Sequence, residues 1–152
     1  MFGVLYLAEP SFGQNKKPEP NEVDHAGILG KLGSKNFTKG QTIYNNLCIN
    51  CHGSDGKTPA LPIARAFGTG ELKFGTDPYS MFQTLTKGNG LMGPQTWMTP
   101  QERYDVIHYI REKFMKPMHP KYQALKPQYL AGLPKVNAIA RSVSAIIPER
   151  GR

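Results

Sequence analysis

The chain has 152 residues, room for one compact domain with arms but not for two ordinary domains. Hydrophobic residues make up 39%, slightly low for a self-sufficient core, while 16 glycines and 13 prolines point to loops and extended arms around a few short helices. The net charge is +8, but the basic residues are dispersed and form no nucleic-acid motif, and the only two cysteines stand three apart, which excludes a disulfide framework.

Residues 1–34 carry three lysines and four acidic residues, 35–117 ten basic and six acidic, and 118–152 six basic and one acidic. The excess therefore sits in the centre and the tail, and an acidic protein partner fits it best. Residues 1–34 read as an irregular arm with at most one helical turn. The apolar run Phe2-Gly3-Val4-Leu5-Tyr6-Leu7-Ala8 is too short to span a bilayer. It also lacks the basic flank of a signal peptide, so it is a packing arm, or Met1 is not the translated start, or a leader has been removed.

Thr38 followed by Gln41 has the form of a capping box, which predicts a helix from Lys39 to about Asn50. Gly40, Tyr44 and Cys48 then share one face. Residues 51–76 hold seven glycines and prolines and read as a loop long enough to be functional. Asp77 and Pro78 open a second helix with Met81, Phe82 and Leu85 on its apolar face and Gly88 as its stop. A loop to Met98 follows. Thr99-Pro100-Gln101-Glu102 opens a third helix with Val106, Ile107, Ile110 and Phe114 buried, and Pro117 is expected to end it. Five prolines interrupt 117–152, where Ile139, Val143, Ile146 and Ile147 fit a helical stripe nearly as well as a strand.

Cys48-Ile49-Asn50-Cys51-His52 carries the chemistry. Cys-x-x-Cys-His is the c-type haem attachment pattern: two thiols add across two vinyl groups, and the next histidine is delivered to the iron. A thioredoxin-like pair lacks its βαβ context, and a zinc site lacks two nearby ligands, because the other histidines are scattered at His25, His108 and His119. His52 is one iron ligand, and its second ring nitrogen needs an acceptor such as a carbonyl near Pro59 or Pro62. The sixth-ligand candidates are Met92, Met98, His108, His25 and His119. Met92 is favoured, since it lies in a glycine-rich loop free to approach a metal, whereas Met98 abuts a helix start and reads as core. Trp97 and Tyr79 are candidate partners of the haem propionates, with core packing the competing role for each. Lys57, Arg65, Lys73 and Lys87 flank the site and offer either a basic rim or ordinary solvated charge.

Gly40-x3-Tyr44-x3-Cys48-x-x-Cys51-His52, then Met92-x-Pro94, then Asp105-Val106-Ile107-His108-Tyr109-Ile110, resembles the class I cytochrome c family over about residues 36–116. The resemblance implies that the helix before the motif crosses the last helix, with Gly40, Tyr44 and Tyr109 at the crossing, and that Met92 is the second axial ligand. Gly75-Thr76-Asp77-Pro78-Tyr79, Pro94-Gln95-Thr96-Trp97-Met98 and Tyr129-Leu130-Ala131-Gly132-Leu133-Pro134-Lys135 are similar to haem domains fused to large secreted bacterial dehydrogenase-like proteins. With no dehydrogenase domain in these residues, that likeness implies a stand-alone version or a subunit beside a larger enzyme.

The expectation is an all-α cytochrome c fold of about three helices around one covalent haem c. An irregular arm (1–34), a cytochrome domain (35–117) and a proline-rich basic arm (118–152) make up the chain. Single-electron transfer follows, by a soluble carrier or a haem subunit of a redox complex rather than an enzyme, in the periplasm or otherwise outside the cytoplasm. A five-coordinate haem enzyme or gas sensor is the first alternative, and an assembly subunit whose arms bind partners is the second. One attachment motif excludes a two-haem peroxidase within the chain.

Overall fold

The computed structural model describes residues 23–135, and every regular element in them is helical. Helix α1 is His25–Leu29. Helix α2 runs 34–52, as Ser34–Ile43, a wide π-helical turn Tyr44–Cys48 and a last turn Ile49–His52. Helix α3 is Pro78–Lys87. Helix α4 runs 100–118, as Pro100–Ile110, a second π-helical turn Arg111–Met115 and a final Lys116–Met118. Helix α5 is Pro127–Ala131.

The caps of α3 and α4 are those written in the sequence. The Asp77 carboxylate accepts from the Ser80 N–H at 3.0 Å. Thr99 and Glu102 form a reciprocal box, with Thr99 N–H donating to Glu102 at 2.7 Å. The start of α2 differs from expectation. Helix begins at Ser34, where Asn36 Oδ1 accepts from the Gly33 N–H at 3.1 Å. Thr38 lies inside the helix, its hydroxyl donating back to the Ser34 carbonyl. The reason is tertiary: Phe37 packs on Tyr109 with ring centroids 5.1 Å apart, so burial draws an extra turn into the helix. At the other end, α4 continues one residue past Pro117. A proline has no N–H to give, and the wide turn just before it already departs from the regular hydrogen-bond ladder.

Helices α2 and α4 form the main packing contact. Gly40 is the crossing point: a Cβ there would lie 1.9 Å from the Asp105 carbonyl oxygen and 2.9 Å from Tyr109 Cβ. Only a residue without a side chain lets the two backbones approach this closely. Around the crossing, Tyr44 meets Tyr109 at 5.4 Å and Phe114 at 5.2 Å between ring centroids. Asp105 is buried beside it and accepts from Asn36 Nδ2 and Gln101 Nε2, each at 2.8 Å.

The packed core extends past both ends of the cytochrome segment. Val23, His25 and Leu29 on one side and Leu133 on the other are buried with Phe82, Tyr104 and Ile107. His25 sits among the rings of Tyr79, Phe82 and Tyr104, with Nδ1 2.7 Å from Tyr104 Oη. The segment after α4 straps across the molecule: Arg111 donates to the carbonyls of Thr76 and Gln123, and Tyr129 donates to Asp77 Oδ1 at 2.7 Å while accepting from the Tyr79 N–H at 3.0 Å. The apolar stripe Ile139–Ile147 lies outside the described residues.

The Tyr129 clasp has an expected acid dependence. Burial pushes the Asp77 carboxyl up, but hydrogen bonds from Ser80 and Tyr129 outweigh it and hold the group below the ordinary carboxylate value. A depressed carboxyl contributes stability that is present above its unfolded pKa and lost as pH falls through the lower folded value. Tyr129→Phe removes one of those donors together with the acceptor for Tyr79. It is expected to cost about 1.5–3 kcal/mol at neutral pH. It should also flatten the fall in stability below about pH 4. Urea melts at pH 7 and pH 3 check both, and an unchanged acid slope would remove Asp77 as its source.

Candidate functional site

The motif occupies the end of α2. The π-helical turn Tyr44–Cys48 ends on its first cysteine. One residue absorbed in a wide turn rotates everything after it by about 100° relative to an unbroken α-helix. The direction in which Cys48, Cys51 and His52 face is therefore set by this turn as well as by their spacing from Gly40 and Tyr44. Tyr44 anchors it by donating to the Gly53 carbonyl at 2.7 Å. Both cysteines are half-buried and unpaired, and burial, followed by the neighbouring Cys51, pushes the Cys48 thiol up to about 11.

His52 is held from two sides. Its Nδ1 lies 3.0 Å from the Arg65 carbonyl oxygen, which can only accept, so Nδ1 carries the proton and Nε2 is left with a lone pair that could bind a metal. The Phe67 ring stacks on the imidazole at 4.5 Å and 25°. The acceptor is a backbone carbonyl, as expected, but three residues beyond Pro62. Neither Arg65 nor Phe67 was visible as a partner in the sequence, because the path of the loop brings them back. That path is set by the Cys51 carbonyl accepting from the Leu61 N–H at 3.1 Å, and by Asp55 accepting from the N–H groups of Lys57 and Thr58 at 2.7 Å each.

Met92 stands half-buried in the 88–99 loop. It exchanges two backbone hydrogen bonds with Asn89, at 2.8 and 3.1 Å, and Gln95 N–H ties the loop to the Leu85 carbonyl at 2.7 Å. Trp97 is on the same loop, 59% exposed, with its Nε1–H donating to Gln95 Oε1. Tyr79 is instead drawn to α1 and the strap, its ring edge-on to His25 at 4.9 Å and its N–H on Tyr129. The other ligand candidates are engaged. Met98 is 2% exposed. The ring nitrogens of His119 lie 3.0 Å from the Gly70 oxygen and 3.1 Å from the Lys121 nitrogen. His25 bonds Tyr104, and His108 lies edge-on to Phe37, its imidazole kept below its ordinary pKa by burial.

The residues present fit a covalent haem. Two thiols and an imidazole with a free Nε2 share one helical turn. Large exposed apolar side chains gather in the segments flanking the motif and Met92: Leu47, Leu61, Ile63, Leu91 and Trp97. A macrocycle would cover such surface, which is otherwise costly to expose. Among the described residues no group of three or more His, Cys, Asp or Glu could hold a bare metal ion, and no helix is long and apolar enough to cross a membrane.

No curated protein and no solved structure matches the chain. The family described as Cytochrome C oxidase, cbb3-type, subunit III matches residues 35–110, from the first turn of α2 through the crossing with α4, and the chain belongs to that family as a class I c-type cytochrome with covalent haem c and a part in electron transfer.

Proposed function

We propose that the chain is a mono-haem electron carrier or the haem subunit of a larger redox complex, exported from the cytoplasm, with His52 and Met92 as axial ligands. The observation that carries this is the His52 imidazole, held through Nδ1 by Arg65 and presenting Nε2 on the turn that carries both cysteines. Bound haem c supplies the one-electron centre. Cys48 and Cys51 would hold it covalently, and His52 and Met92 would close both axial positions. Ligands set on a hydrogen-bonded loop and a packed helix move little between oxidation states, which favours fast exchange. Trp97 is a proposed propionate contact, whereas the packing of Tyr79 against His25 and Tyr129 favours the core role for it. Export follows from where covalent haem attachment takes place, and the dehydrogenase-like resemblance suggests a large oxidoreductase as partner.

The test is spectroscopic. The purified holoprotein should titrate as a single one-electron centre, low-spin in both oxidation states, and the reduced form should not take up carbon monoxide. A high-spin protein that binds carbon monoxide would replace this proposal with the five-coordinate enzyme or sensor.

Lys57, Arg65, Lys73 and Lys87 are all exposed, and the proposed partner carries an acidic docking face. Exposed charges act chiefly on encounter rates and are screened by salt. Lys73→Glu with Lys87→Glu is expected to slow electron exchange with an acidic redox protein by on the order of tenfold at low ionic strength, with the difference fading at high salt. Stopped-flow rates that do not depend on salt would remove the acidic partner.

A further inference from the structure

The end of α4 lies outside the matched family segment, and it grips the loop that holds His52. Gly70 N–H donates to the Ala66 carbonyl at 2.7 Å, closing a turn over residues 66–70. That turn follows Arg65, whose carbonyl accepts from His52, and it contains Phe67, which stacks on His52. Two consecutive residues meet it, the last of α4 and the one that follows. Met118 seats against Gly68, where a Cβ would lie 2.7 Å from the Met118 methyl carbon. His119 is 6% exposed and reaches the Gly70 carbonyl through Nε2 at 3.0 Å, while its Nδ1 accepts from the Lys121 N–H at 3.1 Å. A carbonyl can only accept and an amide N–H can only donate, so His119 is the neutral Nε2–H tautomer. The nearby Lys121–Glu71 pair is exposed on both sides and holds little.

We infer that His119 is a positioning residue for the axial histidine: through the Gly70 carbonyl it locks the turn that aims Arg65 and Phe67 at His52. This rests on His52 as an iron ligand. The acceptor on the far nitrogen of a metal-bound imidazole sets both its orientation and its basicity. When the turn loosens, the Arg65 carbonyl withdraws, the imidazole donates less charge, and the reduced state gains.

The experiment uses the full-length holoprotein with His119→Phe, which keeps a flat aromatic ring but removes both hydrogen bonds, and His119→Gln, which restores an N–H donor. In His119→Phe the midpoint potential should rise, and the His52 Nδ1–H in the reduced protein should exchange with solvent about tenfold faster, as one lost hydrogen bond of ~1.4 kcal/mol implies. His119→Gln should recover both. A His119→Phe protein that melts at lower temperature with unchanged potential and exchange would overturn the proposal and leave His119 a purely structural residue. In the wild type the ring N–H protons of His52 and His119 should share one protection factor, since they open as one unit. A freely exchanging His119 beside a protected His52 would overturn it without any variant. The two proposals fail separately: a low-spin spectrum that survives His52→Ala sinks the ligation of His52 itself, whereas an unaltered potential in a histidine-ligated protein sinks only the role of His119.

Discussion

Met92→Ala is expected to remove the proposed sixth ligand and to change ligation, potential and reactivity together. The far-red ferric band that reports iron–sulfur ligation should vanish, the reduced protein should bind carbon monoxide, and the midpoint potential should fall by on the order of 0.1–0.2 V, within the ~0.8 V that axial ligands command. The effect is local because the turn around Met92 is held by backbone atoms. Asn89 and Met92 exchange two main-chain hydrogen bonds, and neither needs the thioether. The alternatives are each spent elsewhere. Met98 is buried at the start of α4, His119 uses both ring nitrogens on backbone groups, and His25 is closed in by three aromatic rings. Recruiting any of them would break packing or hydrogen bonds that the fold depends on. Retention of the far-red band in Met92→Ala together with its loss in Met98→Ala would move the ligand to Met98, and would require α4 to start differently.

Gly40→Ala is expected to destabilise the fold by forcing its two main helices apart. The new methyl group would stand 1.9 Å from the Asp105 carbonyl oxygen, a backbone atom that no side-chain rotation can move. Relief requires α2 and α4 to separate, which would open the contacts of Tyr44 with Tyr109 and Phe114. Overpacking of this kind costs about 1–3 kcal/mol and sometimes more. Alanine returns about 1 kcal/mol of helix propensity, but a clash against backbone sits at the upper end of the range. A net loss of about 2 kcal/mol, read as a lower guanidinium midpoint with an unchanged slope, is the expected result. A variant as stable as the wild type would mean that the helices do not cross at Gly40. Its spectrum at low denaturant should remain low-spin, since Cys48, Cys51 and His52 lie beyond the crossing on α2.

Gly40 and the caps of α3 and α4 were legible in the sequence for different reasons. Gly40, Tyr44 and Tyr109 stood out through a family pattern, and the geometry bears out the crossing they imply. The Asp77 and Thr99 caps were legible because a cap is a local device, with donor and acceptor within about three residues of each other. The cysteine pair was legible because covalent attachment demands a fixed short spacing.

Long-range contacts were not legible. Thr38 and Gln41 had the form of a capping box, yet Phe37 against Tyr109 made helix of the residues before them. The wide turn at Tyr44–Cys48 leaves no mark in composition, although it sets the direction of the motif. Arg65 is thirteen residues from His52, and its contribution is a carbonyl that every residue possesses. His119 read as a remote ligand candidate because a histidine in sequence shows its chemistry and not its partners. The sequence by itself determined the cofactor chemistry, the helix caps and the residue at the crossing, all of which depend on side-chain type at short spacing. Only the tertiary structure decided which carbonyl holds His52, which histidines and methionines are already engaged, and that Val23–Leu29 and the strap to Leu133 share the core, because loop closure and burial bring together groups between which no local rule applies.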